Sequence, residues 1–74
     1  MTVVGRLERV DVGMGAWVLV TPDGRRFQLD GAVPDGLTGS NVVATGKQQP
    51  SHGFAMLAVD GTLVLTAALV PAAT

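Results

Sequence analysis

One histidine, His52, and no cysteine or tyrosine leave this chain few side chains able to attack a substrate or pass a proton at neutral pH. A hydrolytic triad would need His52 held by a carboxylate and serving a hydroxyl. The serines at hand, Ser40 and Ser51, stand in no nucleophile-type turn. Without cysteine there are no disulfides, thiolate zinc sites or iron–sulfur clusters. The six carboxylates form no catalytic pair: Asp23, Asp35 and Asp60 each precede glycine and read as turn residues, and Asp30 closes a strand before Gly31. Gly13-Met14-Gly15 is a loop rather than a phosphate cradle. Met14, Trp17, His52 and Met56 could in principle gather around a soft Cu(I) ion. Met56, however, falls in an apolar run where filling a core is the ordinary role. The expectation is a non-catalytic protein with no metal and no cofactor.

The elements that would position any site are short and extended. Seventy-four residues make one domain, 1–74. With 47% hydrophobic and 15% charged residues the chain folds rather than staying disordered. Ten glycines and four prolines punctuate it at strand-length intervals, and twelve valines suit a pleated surface. No stretch of a dozen residues free of Gly and Pro has helical periodicity. The reading is a long first strand, Thr2 to Val12, in which Gly5 marks a bend or close approach. A second strand, Ala16 to Thr21, is apolar on both faces. The turn Pro22-Asp23-Gly24 leads into Arg25 to Asp30, with Phe27 and Leu29 on one face. A fourth strand runs from Ser40 to Gly46, followed by a polar surface loop over Lys47 to Gly53. Phe54–Val59 and Thr62–Val70 are then expected to pair as a hairpin over a type I′ Asp60-Gly61 turn. Trp17 and Phe27 are assigned to the core.

This order predicts an all-β fold, a small five- to six-stranded, partly open OB-like barrel, with an SH3-like barrel as the alternative. Trp17-Val18-Leu19, Asp23-Gly24 through Phe27-Gln28-Leu29, and Val42-Val43-Ala44-Thr45-Gly46 resemble a family of short bacterial OB-like domains of unknown function. In that family a W-x-L strand, a D-G-x-x-φ-x-L hairpin and a V-x-V-x-G strand recur. Gly5-Arg6-Leu7 lacks the hydroxyl that the family's first strand carries after its glycine. The resemblance implies the fold and brings no activity with it.

Function is then read from surface chemistry. An OB-like barrel invites single-stranded nucleic acid, and the adjacent Arg25 and Arg26 are the residues to watch for an anionic ligand. Five basic against six acidic side chains give a net charge of −1, so the field largely cancels. Excess apolarity points elsewhere. Thr62 to Val70 is apolar on both faces, and a small barrel has only one interior. The expectation is a protein-protein interaction or self-assembly module. Its anchors would be Leu63, Val64, Leu65, Ala68, Leu69 and Val70 of the C-terminal hairpin, and its partner a second copy or a larger protein. No basic leader and no unbroken apolar run long enough to cross a bilayer occur, so the expected location is cytoplasmic, without membrane association.

Overall fold

Alternation of apolar inward and polar outward residues shapes most of the strands. In the computed structural model, which describes residues 1–11, 15–50 and 59–72, six strands form one sheet. These are β1 (Thr2–Val10), β2 (Ala16–Val20), β3 (Arg26–Asp30), β4 (Asn41–Gln49), β5 (Gly61–Leu65) and β6 (Val70–Pro71), with a single 3₁₀ turn over Asp35–Leu37. The order β1-β2-β3-β5-β4 closes on itself because β1 also pairs with β4. All contacts are antiparallel except β3 with β5. The result is a closed five-stranded mixed barrel with β6 added beside β4, a small OB-like barrel. The five strands join in one ring, with β5 covering only Gly46–Gln49 of β4, and the parallel β3–β5 ladder decides against the SH3-like alternative.

Two glycines allow the ring to close. β1 pairs with β4 through Thr2–Arg6 and with β2 through Arg6–Val10. At the changeover, a Cβ on Gly5 would lie 2.5 Å from the Val20 carbonyl oxygen, the close approach expected of this glycine. β4 changes partner in the same way, and Gly46 at its changeover lies against the Val64 carbonyl and Leu65 Cα. The Pro22–Gly24 turn forms as read. Gly24 has a φ of 88°, its N–H donates to the Thr21 carbonyl at 3.0 Å, and the Arg25 N–H donates to Thr21 Oγ1 at 3.0 Å.

The barrel interior holds Leu7, Leu19, Phe27, Val42 and Leu63, all at 1% exposure or less. β2 buries both faces: Leu19 joins this core, while Ala16 and Val18 form a second cluster with Val10, Val20 and Val59. Trp17 packs against the main core but is only half-buried, and the Arg9 guanidinium lies 5.3 Å from its ring centroid. Its place is at the margin of the core rather than inside it.

Two readings of the second half are corrected. β4 continues through Lys47–Gln49, expected as loop, because β5 offers these polar residues a ladder partner on each of three pairs. The expected type I′ turn over Asp60-Gly61 is not seen, and the hairpin it would close is only partly described. One of its arms, 54–58, lies outside the described residues. The other, β5, ends at Leu65 and already has β3 on one edge and β4 on the other. Asp60 and Gly61 also lack the positive φ that a type I′ turn requires. Asp60 instead ties β5 to β3. Its carboxylate accepts from the Arg26 N–H at 2.8 Å, and its own N–H donates to the Arg26 carbonyl at 2.7 Å.

Candidate functional site: the C-terminal arm

Beyond β5 the chain bends at Thr66 and Ala67 and rejoins the β4 edge at Val70. Leu63 faces the core and Val64 is half-buried on the outer side, opposite Lys47 and Asp30. Thr66 keeps contact with β4, its N–H donating to the Thr45 carbonyl at 2.9 Å. Ala67 and Ala68 are exposed. Leu69 then turns inward to 5% exposure within the main core cluster. Val70 and Pro71 pair with Val43 and Val42, and the Ala72 N–H donates to the Asn41 carbonyl at 2.9 Å. The arm thus occupies the stretch of the β4 edge that β5 leaves free.

A shallow cavity of about 570 Å³ opens between this arm and the loop after β3. Ala32, Val33 and Pro34 form one wall, and Leu65 through Leu69 form the other. Its lining has no charged side chain. Val70, next along the arm, is 50% exposed. The strand register sets Val70 beside Val43, and Val43 beside Val4, itself 47% exposed. Three valines on three neighbouring strands therefore share the outer face.

The six expected anchors do not share one surface. Leu63, at 0% exposure, and Leu69, at 5%, belong to the core, because the inward face of β5 and the returning arm must fill the barrel. Val64 and Leu65 are half-buried, while Ala68 and Val70 are exposed. Val4 and Val43 were missed. Both sit in runs of neighbouring apolar residues (Val3-Val4, Val42-Val43-Ala44), so alternation forces one member outward. Their adjacency depends on the β1–β4 and β4–β6 registers, which no local pattern contains.

Arg6, Arg9 and Arg25 each have a side-chain neighbour, whereas Arg26 engages Asp60 through its backbone. Arg25 Nε donates to Asp23 at 3.1 Å, and its guanidinium lies 5.6 Å from the Phe27 ring centroid. Arg26 stands on the other face of its strand, so the two do not form one cationic pair. Arg6 Nε donates to Glu8 at 2.8 Å. The Thr21 hydroxyl donates to Asp23, and this bond, helped by the Arg25 charge, holds the Asp23 carboxyl below its ordinary value. Of the soft-ligand set, Met14, His52 and Met56 lie outside the described residues, and Trp17 is paired with Arg9. Among the described residues no helix is long and apolar enough to cross a membrane.

A family model described as a protein of unknown function (DUF5818) matches residues 4–62. No curated protein and no solved structure matches the chain.

Proposed function

The chain belongs to the DUF5818 family, whose description assigns no activity, and we propose on its geometry that it is a non-catalytic interaction module whose C-terminal arm meets another protein surface. The observation that carries this reading is the outward apolar row Val4, Val43 and Val70, with an uncharged groove lined by the same C-terminal arm. Apolar side chains held rigidly outward on three adjacent strands gain free energy when a partner removes them from water, at about 25 cal/mol per Å². A standard interface takes roughly 800 Å² from each partner, close to a fifth of this molecule's 4482 Å² surface. Groove, arm and valine row must therefore all take part, with Ala68 and Val70 central and Val64 and Leu65 contributing their exposed parts. The partner is a second copy or a larger protein.

A nucleic acid finds less to hold. Bases stack on open aromatic faces over a basic groove. Among the described residues, Phe27 is 1% exposed, Trp17 packs against the core under Arg9, and Ala16 and Val18 of β2 are buried in the second cluster.

The test is solution mass by light scattering over a concentration series, on the parent and on Val70→Glu. The parent is expected to gain mass with concentration, and the variant to stay monomeric with an unchanged fold. For a heterologous partner, the variant loses a complex that the parent forms with that purified protein. If the parent remains a monodisperse monomer at millimolar concentration and Val70→Glu alters no complex, the reading is overturned.

A further inference from the structure

The arm is held to its own barrel by few contacts, and each could be made by the arm of another copy. Leu69 is its one buried side chain. Its ladder has two pairs, Val70 with Val43 and Pro71 with Val42, extended by the Ala72 N–H on the Asn41 carbonyl. Between this seat and β5, Thr66 to Leu69 belongs to no strand, and Ala67 and Ala68 are exposed. Without the arm, the β4 edge at Asn41–Val43 would present unpaired backbone groups, and the space of Leu69 would open the core.

We propose that residues Leu69–Ala72 are exchanged reciprocally between two copies of this chain, each arm seated on the β4 edge of the other. This rests on the interaction reading above, with a second copy as the partner. The contacts of the seat are identical in the closed and the exchanged forms, so the balance between them is set by the hinge and by whatever new surface the copies share. The hinge lines the uncharged groove against Ala32–Pro34. On exchange that wall of the groove leaves with the arm, so Ala32–Pro34 would face apolar residues of the two crossing hinges instead. Concentration therefore shifts the balance toward the exchanged dimer.

The chain has no cysteine, so an Asn41→Cys variant and an Ala72→Cys variant can be mixed without background. A hydrogen-bonded antiparallel pair holds its Cα atoms about 5.5 Å apart, within reach of a disulfide. The two variants are unfolded together, refolded at high concentration and oxidised. Exchange is expected to give a covalent heterodimer as the main linked species, absent from either variant alone. The double variant, oxidised at low concentration, should close within one chain and so report the seat itself. If the double variant closes but the mixture gives no heterodimer, exchange is overturned. Failure of the double variant to close overturns it as well, since the seat is then wrong. Light scattering separates the two proposals: a parent dimer without heterodimer linkage sinks exchange alone, whereas monomers throughout sink exchange and self-association together.

Discussion

Adding one methyl group at three glycines should have three different consequences, because the barrel closes by bringing backbones together at only some of them. At Gly46 a Cβ would meet backbone on every side: the Val64 carbonyl oxygen closest, its carbon at 2.8 Å and Leu65 Cα at 3.0 Å. None of these atoms can swing aside as a side chain would, so β5 must move off β4 by the better part of an ångström. A ladder bond near 2.9 Å stretched by that amount is no longer a hydrogen bond. Four residue pairs, Gly46–Leu65 to Gln49–Thr62, share this ladder. Losing two of their bonds at about 1 kcal/mol each, with about 1–3 kcal/mol for overpacking, predicts a loss of about 3–5 kcal/mol for Gly46→Ala. That is a large part of the roughly 4–11 kcal/mol expected of a chain this size. Gly36→Ala meets nothing within 4 Å and no positive φ, so it should be neutral or stabilise by about 0.4–1 kcal/mol through the unfolded chain. Gly24→Ala has open space but a φ of 88°, and should cost about 1–2 kcal/mol. Urea unfolding followed by Trp17 fluorescence gives all three values. A Gly46→Ala protein within 0.5 kcal/mol of the parent would refute the close contact of β4 and β5 on which the closed ring depends.

Other changes separate core from contact. Leu63→Ala, at a fully buried position, should lower stability by about 2–5 kcal/mol, while Ala68→Glu, at an exposed one, should leave melting unchanged and weaken association. Equal destabilisation by both would undo the division of the six anchors made above. Asp23 has a folded pKa below its unfolded value, so its contribution is present above pH 3.8 and fades as pH falls through the lower, folded value. Melting temperatures from pH 7 down to pH 2 should therefore fall less steeply in Asp23→Asn than in the parent, and parallel slopes would exclude that carboxylate. With a labelled single-stranded oligonucleotide at low salt, the parent at micromolar concentration should give no anisotropy change. Binding that Arg25→Glu with Arg26→Glu abolishes would replace the interaction reading with a nucleic-acid one.

Local signals located the first half of the barrel almost to the residue. Pro22-Asp23-Gly24 carries its own turn chemistry, Phe27 and Leu29 alternate with polar neighbours, and Gly5 interrupts a valine-rich strand as a bend or a close approach would. Each is decided within a few residues. The second half is decided by partners far along the chain. Asp60-Gly61 has the composition of a hairpin turn, yet its carboxylate is taken by the Arg26 N–H, 34 residues away. β5 is drawn into a parallel ladder with β3, a pairing that no short-range pattern announces. Lys47-Gln48-Gln49 reads as loop because its side chains are polar, whereas its backbone is claimed by β5. The same non-locality redistributed the candidate site. Apolarity on both faces of Thr62–Val70 was legible, but not that the segment bends at Thr66 and sends Leu69 back inside.

That bend explains why the greasy tail is not simply a surplus. A five-stranded ring has no free edge only if every strand is paired along its whole length, and β5 covers just Gly46–Gln49 of a β4 that begins at Asn41. Thr66, Val70, Pro71 and Ala72 supply partners for Thr45, Val43, Val42 and Asn41, so the arm finishes the wall that the barrel proper leaves incomplete. Pro71 lacks an N–H, and a two-residue strand ending on it offers little template for further strand addition. The outer side of the arm nevertheless carries Val70, and the path to it carries Ala67 and Ala68. One short segment therefore seals the core with Leu69, completes the sheet with its backbone and presents the apolar surface with what remains. Mutations there will separate these roles only if they spare Leu69 and the β4 ladder, which is why Ala68 and Val70 are the positions at which contact can be tested without unfolding the barrel.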